Sequence, residues 1–398
     1  MRRALATAAA LAWLAAPAHA TQHGEWLAGD LHVHTTHSHD SYGGPGDDNT
    51  GPEEFYTLGW SVADQFQHAA LRGLDYLAIT DHEDIRSQED PGFGANGVLP
   101  VPGYENSLSG HAQMLGATRL YDNGDESATA VQALADALRA DGGAFQVNHP
   151  AEGSTDFPHD TDWGYMYAVQ PDTVEVWNIS RLWQPPLPSA SSNDDAIRYW
   201  EGWLDRGAKV AATGGSDNHW RTTFAAQGVG QPTTWVFARE RTTAGVLEGI
   251  RAGRTFISHQ PPNLGGPRLF LEGEGTMVGD DVAPGAPLRV RVEGGTGMFL
   301  RLVTTGGEFL GDPVPVTGPS FTHEFAAPNA SPGWVRAELF APDLAEERAA
   351  LCDLPDTTYC RNLLGVTAMT SAIYVRNPCE PTRRRGRGRK AGSAMCDS

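Results

Sequence analysis

Two histidines separated by one residue, His32 and His34, follow a short apolar segment near the N-terminus. In an extended strand, residues i and i+2 point to the same face, so both imidazoles can reach one ion. Neutral imidazole is the commonest protein ligand for a metal ion at neutral pH. Asp30 is a candidate acceptor that would orient one of these rings from behind. An H-x-H pair also occurs on exposed strands without a metal, so the rest of the chain decides between the two interpretations.

The same pattern returns several times: an apolar run predicted as a strand is followed by histidines and carboxylates. Residues 80–82 read Thr-Asp-His, residues 148–150 read Asn-His-Pro, and residues 216–219 read Ser-Asp-Asn-His. Imidazole and carboxylate groups together suit zinc, manganese or iron, and spacing alone does not choose between them. The candidate metal ligands are His32, His34, Asp40, His82, Glu105, His111, His149, Asp217 and His219.

Alternating strands and helices must position these side chains. The predicted strands cover residues 26–33, 74–80, 99–104, 144–147, 173–177, 209–213 and 254–258. The predicted helices cover residues 52–72, 126–141, 194–206 and 244–250. This order is typical of a parallel sheet in an α/β protein, whose functional face lies at the carboxyl ends of the strands. An open doubly wound sheet follows the same rule, but histidines after successive strands favour closure into a barrel.

The chain changes character near residue 267. Short alternating apolar segments separated by Gly, Pro, Asp and Asn predict a small antiparallel β-sandwich. The predicted domains are a barrel over residues 21–262 and a β-sandwich over residues 263–376, with a tail over residues 377–398. Residues 383–390 are basic and glycine-rich, which favours a solvated tail over a nucleic-acid-binding patch.

The first 20 residues combine two arginines, an apolar run and a small-x-small cleavage motif. This pattern predicts a cleaved signal peptide and export to the periplasm or the medium, with no membrane-inserted segment in the mature protein. In an exported chain, four cysteines favour disulfides, and Cys352–Cys360 with Cys379–Cys396 is the simplest of three possible pairings. The sequence gives no signal for an oligomeric state.

Charge narrows the range of partners. The formal net charge is -20, with 49 acidic residues against 29 Lys and Arg residues. Such a surface repels phosphate backbones, which argues against nucleic acid and leaves a small organic molecule as the expected substrate.

Taken together, these motifs resemble the polymerase-and-histidinol-phosphatase (PHP) superfamily of metallohydrolases over residues 29–258. The H-x-H, T-D-H, N-H-P and S-D-x-H segments and a glutamate followed by His-x-x-x-Leu-Gly carry the resemblance. The spacing of Glu105 and His111, residues 254–256 and the appended β-domain resemble its carbamate-hydrolase (CehA/McbA) branch. The resemblance implies a distorted seven-stranded (β/α)7 TIM-like barrel that holds two or three divalent ions.

The resemblance also implies which residues hold each ion. The first ion would take His32, His34, Glu105 and Asp217, and the second would take Glu105, His111 and His149. The third would take His82 and His219 with Asp40, for which His37 and His39 are the alternatives. Glu175 lies near the implied site as a candidate for support and Asn178 as a candidate for substrate contact, with packing as the other interpretation of both.

The rival family with an initial H-x-H is the amidohydrolase barrel, whose binuclear form uses a carbamylated lysine at a strand end. The only two lysines are Lys209, at the start of a predicted strand, and Lys390, in the tail. Neither position fits a lysine at a strand end.

The expected reaction is attack by a metal-bridging hydroxide on a small phosphoester or a carboxylic or carbamate ester, with Asp217 or His219 moving the proton. The alternative is a non-catalytic exported metal- or ligand-binding protein.

Overall fold

The structure is a computed structural model, and it describes residues 23–41, 59–151, 163–178, 193–219, 228–342 and 365–377. The predicted signal peptide, the four cysteines and the basic tail lie outside these residues. None of the helices within them is long and apolar enough to cross a membrane.

Four α-helices lie in the described ranges. They are α1 (Val62–Arg72), α2 (Ala128–Ala140), α3 (Asn193–Asp205) and α4 (Thr243–Arg251). Hydroxyl side chains define three of their starts, because Ser61, Ser127 and Thr242 each accept a hydrogen bond from a backbone N–H in the first turn. The first helix was predicted from residue 52. Within the described residues it begins after Ser61, whose extended backbone and capping hydroxyl mark the boundary.

The N-terminal part of the described chain holds ten strands. They are β1 (Glu25–Asp30), β2 (Tyr76–Ala78), β3 (Leu99–Val101), β4 (Glu105–Asn106), β5 (Ala112–Leu115), β6 (Ala144–Val147), β7 (Thr173–Asn178), β8 (Ala211–Gly215), β9 (Thr233–Ala238) and β10 (Thr255–Ser258). The later strands are β11 (Arg268–Gly273), β12 (Thr276–Met277), β13 (Asp281–Val282), β14 (Pro287–Glu293), β15 (Phe299–Thr304), β16 (Glu308–Phe309), β17 (Val314–Pro315), β18 (Ser320–Ala326), β19 (Gly333–Phe340), β20 (Val366–Thr370) and β21 (Ile373–Val375).

These strands form a mixed α/β structure, as the sequence predicted, but they do not show a (β/α)7 barrel. One five-stranded sheet has the order β4-β5-β6-β7-β8, and β1, β2 and β3 belong to a separate, larger sheet. β5 pairs antiparallel with both β4 and β6. The β4–β5 connection is a short hairpin loop, which joins antiparallel strands and leaves no room for the helical crossover that a parallel strand requires.

The two sheets meet at the carboxyl ends of β1, β2 and β8. The backbone N–H of His34 donates to the carbonyl of Asn218 over 3.0 Å, and that of Asp217 donates to the carbonyl of His32 over 2.8 Å. His82 forms a parallel bridge with Glu105 across the other junction. Residues from different sheets are therefore held together where the polar side chains lie.

The C-terminal strands form two packed layers. β12, β11, β14 and β18 make an antiparallel four-stranded sheet, whose inward side chains share a core with those of β15 and β19. β19 continues through β20 to β10, so the large sheet runs across residue 263, the predicted domain boundary. That boundary stays a prediction.

Candidate metal centre

All nine predicted ligand residues lie at the junction of the two sheets. His32 and His34 follow β1, His82 follows β2, His149 follows β6, and Asp217 and His219 follow β8. Glu105 begins β4, His111 precedes β5, and Asp40 lies in the turn after β1. The short apolar strands bury the backbone up to these positions, and the polar side chains begin where each strand ends.

Glu105 stands at the centre of the first group. Its Oε2 lies 2.8 Å from His32 Nε2 and 3.1 Å from His34 Nε2. Asp217 Oδ1 lies 3.2 Å and 3.3 Å from the same two nitrogens. These four side chains are buried and offer one ligand atom each within 4.8 Å of one another. The predicted first ligand set is thus assembled.

The other oxygen of Glu105 faces a second set of side chains. Oε1 lies 3.1 Å from His111 Nδ1 and 3.5 Å from His149 Nε2. It also accepts a hydrogen bond of 2.7 Å from the side-chain amide of Asn148. The compact group at this side consists of Glu105 and His111 with His82, whereas His149 groups with His32 and Glu175. The predicted second set of Glu105, His111 and His149 stays a prediction.

A third group forms around Asp40. Its Oδ2 lies 2.8 Å from His219 Nε2 and 3.3 Å from His82 Nε2. His34 completes this group, and all four ligand atoms lie within 4.8 Å of one another. The sequence left Asp40, His37 and His39 as alternatives for this ion. Asp40 lies with the predicted ligands His82 and His219, whereas His39 groups with His82 and the exposed Glu83.

Four of these histidines have their Nδ1 atom held by an acceptor on the outer side of the site. The pairs are His32 with Glu175 Oε1 (2.9 Å), His34 with Ser38 Oγ (3.0 Å), His82 with Ser107 Oγ (3.1 Å) and His219 with the carbonyl of Asp217 (2.9 Å). With an ion bound, these acceptors would keep the proton on Nδ1 and leave the lone pair of Nε2 directed inward. Ser38 and Ser107 carry no sequence signal for this role.

Backbone geometry at two of the ligands is also unusual. His149 and Asp217 have positive φ angles of 22° and 51°. Non-glycine residues rarely adopt this region, and such strain clusters at functional sites.

Electrostatics at the centre favour positive charge. Burial raises the pKa of Glu105, but His32, His82 and His111 outweigh it and hold that pKa well below the usual range. Burial likewise lowers the pKa of His32, but the carboxylates of Asp217, Glu105 and Glu175 raise it well above its usual value. The inward lone pairs and ionised carboxylates therefore need either protons or cations between them. Nitrogen and oxygen donors in buried groups of three and four fit divalent transition-metal ions.

No protein-family model matches the chain, and no curated protein matches it. Solved structures do show similarity. One is a two-domain protein from Bacteroides vulgatus that contains a predicted PHP-like metal-dependent phosphoesterase, with a TM-score of 0.43 and 17% identity over 80% of this chain and 93% of that one. Another, from Bifidobacterium adolescentis, is assigned only by prediction as a metal-dependent phosphoesterase, with a TM-score of 0.32 and 14% identity over 51% of this chain and 90% of that one.

Proposed function

We propose that the chain is a metal-dependent hydrolase of the PHP type that cleaves a small ester. The observation that carries the proposal is the position of Glu105. One carboxylate contacts His32 and His34 with Oε2 and His111 with Oε1. Two neighbouring cations need anionic charge between them, and a buried carboxylate with both oxygens engaged supplies it.

His32, His34, Glu105 and Asp217 would hold the first ion. Glu105 and His111, with His82 or His149, would hold the second. Asp40, His82 and His219 would hold the third, because the inward lone pair of His34 would serve the first. Zinc, manganese and iron all suit these donors. When bound, such ions supply a water nucleophile at neutral pH and stabilise the oxyanion that develops on the substrate.

The chain's own residues prepare this chemistry. The histidines around Glu105 keep it ionised, so that it remains an acceptor across the working pH range. Asp217 Oδ1 lies 3.4 Å from His219 Nδ1, and His219 Nε2 lies 2.8 Å from Asp40 Oδ2. The Asp40 side chain is 37% exposed, against 7% for Asp217. With two ions bound, His219 Nε2 would carry a proton from the centre to the partly exposed Asp40 carboxylate and so to solvent, and with three ions bound His219 and Asp40 would serve as ligands.

The substrate is proposed as a small phosphoester or a carboxylic or carbamate ester. The acidic chain, with a net charge of -20, supports a small molecule over a nucleic acid. Phosphoester cleavage follows from the superfamily resemblance, and carbamate cleavage follows from the resemblance to the CehA/McbA branch. Export to the periplasm or medium is proposed from the N-terminal 20 residues.

Metal analysis combined with turnover tests this proposal. The purified mature chain is assayed for bound ions and for hydrolysis of p-nitrophenyl phosphate, bis-p-nitrophenyl phosphate and p-nitrophenyl carboxylate and carbamate esters. We expect two or three ions and turnover of one ester class. Glu105→Gln should lose at least one ion and reduce turnover by more than about 100-fold, because removing even a supporting group costs about 10–100-fold.

Asp75→Asn is the matched control, because the Asp75 carboxylate also accepts an N–H hydrogen bond, from the backbone of Ala28, but at the other end of the strands. It should keep metal content and turnover. Full metal content and turnover in Glu105→Gln would overturn the bridging role. Bound ions with no turnover of any ester would favour the metal-binding protein, and the absence of bound ions would overturn both.

A further inference from the structure

Glu175 is a fully buried carboxylate on β7 that the proposed reaction does not use. Its Oε1 accepts a 2.9 Å hydrogen bond from His32 Nδ1. Its Oε2 accepts from the backbone N–H of His149 over 3.1 Å and from the amide of Asn178 over 3.2 Å. The Asn178 amide also donates to Asp217 Oδ2 over 3.1 Å. One carboxylate thus connects proposed ligands that follow three different strands.

We propose that Glu175 is a positioning residue that fixes the tautomer of His32 and the placement of His149 and Asp217 for the ions. This inference rests on the proposed metal centre. A carboxylate accepts but cannot donate, so it holds the proton of His32 on Nδ1. Nε2 then keeps its lone pair, 2.8 Å from Glu105 Oε2, where the first ion would bind.

The local backbone is built to let Glu175 reach His32. The pairing of β7 with β8 shifts register between Glu175 and Trp177, and a bulge of this kind redirects side chains. On β8, a Cβ atom at Gly215 would lie 2.3 Å from His32 Cβ and 2.5 Å from Glu175 Oε1. Only glycine leaves room for the contact between the two side chains.

A packing role does not account for these contacts. A side chain that only filled the space would leave three donors, on His32, His149 and Asn178, facing a group that cannot accept. Buried donors without an acceptor are costly, so the carboxylate is required here for its two oxygens. The positioning role adds a further expectation, namely that metal affinity depends on Glu175.

Glu175→Gln separates the two roles. Glutamine presents one oxygen and one NH2 group, and the oxygen is favoured opposite the two donors on His149 and Asn178. The NH2 group then faces His32 Nδ1, which must accept, and the ring proton moves to Nε2, where it blocks an ion. We expect zinc affinity to fall about 10–100-fold, as for other groups that orient metal-binding histidines.

The matched control is Asp172→Asn. Asp172 stands just before β7 at its opposite end and accepts the backbone N–H of Phe145 over 2.9 Å, so it resembles Glu175 in chemistry but lies away from the centre. Zinc binding to the metal-free full chain is measured by competition with a chelator. Long-range ¹H–¹⁵N NMR of the zinc-loaded chain reports which nitrogen of His32 carries the proton and which one binds zinc.

The expected result has three parts: the wild type carries the His32 proton on Nδ1, Glu175→Gln binds zinc more weakly, and Asp172→Asn binds as the wild type does. Wild-type zinc affinity in Glu175→Gln would overturn the positioning role and leave the metal centre intact. A wild type that binds no zinc would overturn the proposed function and this inference together. Should Glu175→Gln not fold, the zinc-loaded wild type decides alone, and zinc on Nδ1 of His32 with the proton on Nε2 overturns the proposal.

Discussion

The imidazole rings of His34 and His219 stack with centroids 3.8 Å apart and planes 15° apart, although one follows β1 and the other follows β8. The stack brings both rings to Asp40, and His82 reaches the same carboxylate from β2. The four ligand atoms of this group all lie within 4.8 Å of one another, as do those of the group around Glu105 and Asp217.

The compactness of the Asp40 group predicts a third ion. His219→Ala removes one ligand from this group and none from the group of His32, His34, Glu105 and Asp217. We expect the bound metal to fall from three ions to two per chain, measured by elemental analysis after dialysis. His259→Ala is the control. His259 directly follows β10, and its Nδ1 forms a hydrogen bond with the carbonyl of Thr367. An unchanged count of two ions in wild type and His219→Ala would contradict the third site.

Metal-free and metal-loaded protein should respond oppositely to pH. The folded pKa values of His32, His34, His82 and His219 are raised above 6.5, and burial raises the pKa of Asp30 to about 6. A raised folded pKa contributes stability below the unfolded pKa, and that stability is lost as the pH rises through the folded value. The carboxylates of Glu105 and Asp217, whose pKa values are lowered, are ionised in both states at these pH values.

The metal-free protein is therefore expected to lose stability as the pH rises from about 6.5, the unfolded pKa of histidine, through the raised folded pKa values of these histidines, measured by urea unfolding after chelation. Zinc must displace protons from these histidines, so its affinity should rise over the same range. Metal-free stability that rises with pH, or zinc affinity that falls, would contradict the assignment of the histidines.

A buried ion pair joins the helix α3 to the C-terminal strands. Arg336 on β19 contacts Glu201 on α3, with Nη2 and Oε1 2.7 Å apart, and it also contacts Glu338. Arg336→Met leaves Glu201 buried without its cation and should cost about 3–5 kcal/mol of unfolding free energy in urea titrations. The double variant Arg336→Met/Glu201→Gln should recover part of that loss. A change within about 1 kcal/mol for Arg336→Met would show that the pair is not needed.

The location of the site follows from local sequence, because each ligand directly follows or begins a short apolar segment. His32, His82 and Asp217 could be predicted in this way, and Asp40 could be ranked above His37 and His39 only by its position. The sequence could not predict that His34 belongs both to the Asp40 group and to the Glu105 group. That position depends on how the ends of β1 and β8 come together across two sheets.

The path of the chain was harder to predict than the site. Alternating strands and helices indicated a parallel barrel, but residues 105–115 form a hairpin, so that β5 runs against its neighbours. The acceptors Ser38 and Ser107 were also not predicted, because no sequence pattern shows that a serine in a turn contacts a particular histidine. Glu175 was recognised as a candidate, and its three donors became visible only with β7 and β8 in place.

The pairing of β10 with β20 has a consequence for the order in which the molecule can form. β10 belongs to the strands beside the metal centre, yet its outer edge is covered only by a segment that begins at Val366, near the end of the described chain. Until that segment has been synthesised, β10 presents an open edge that can pair with other chains. β20 therefore completes the large sheet beside the metal centre late in synthesis. A chain released before β20 would leave β10 with an exposed edge.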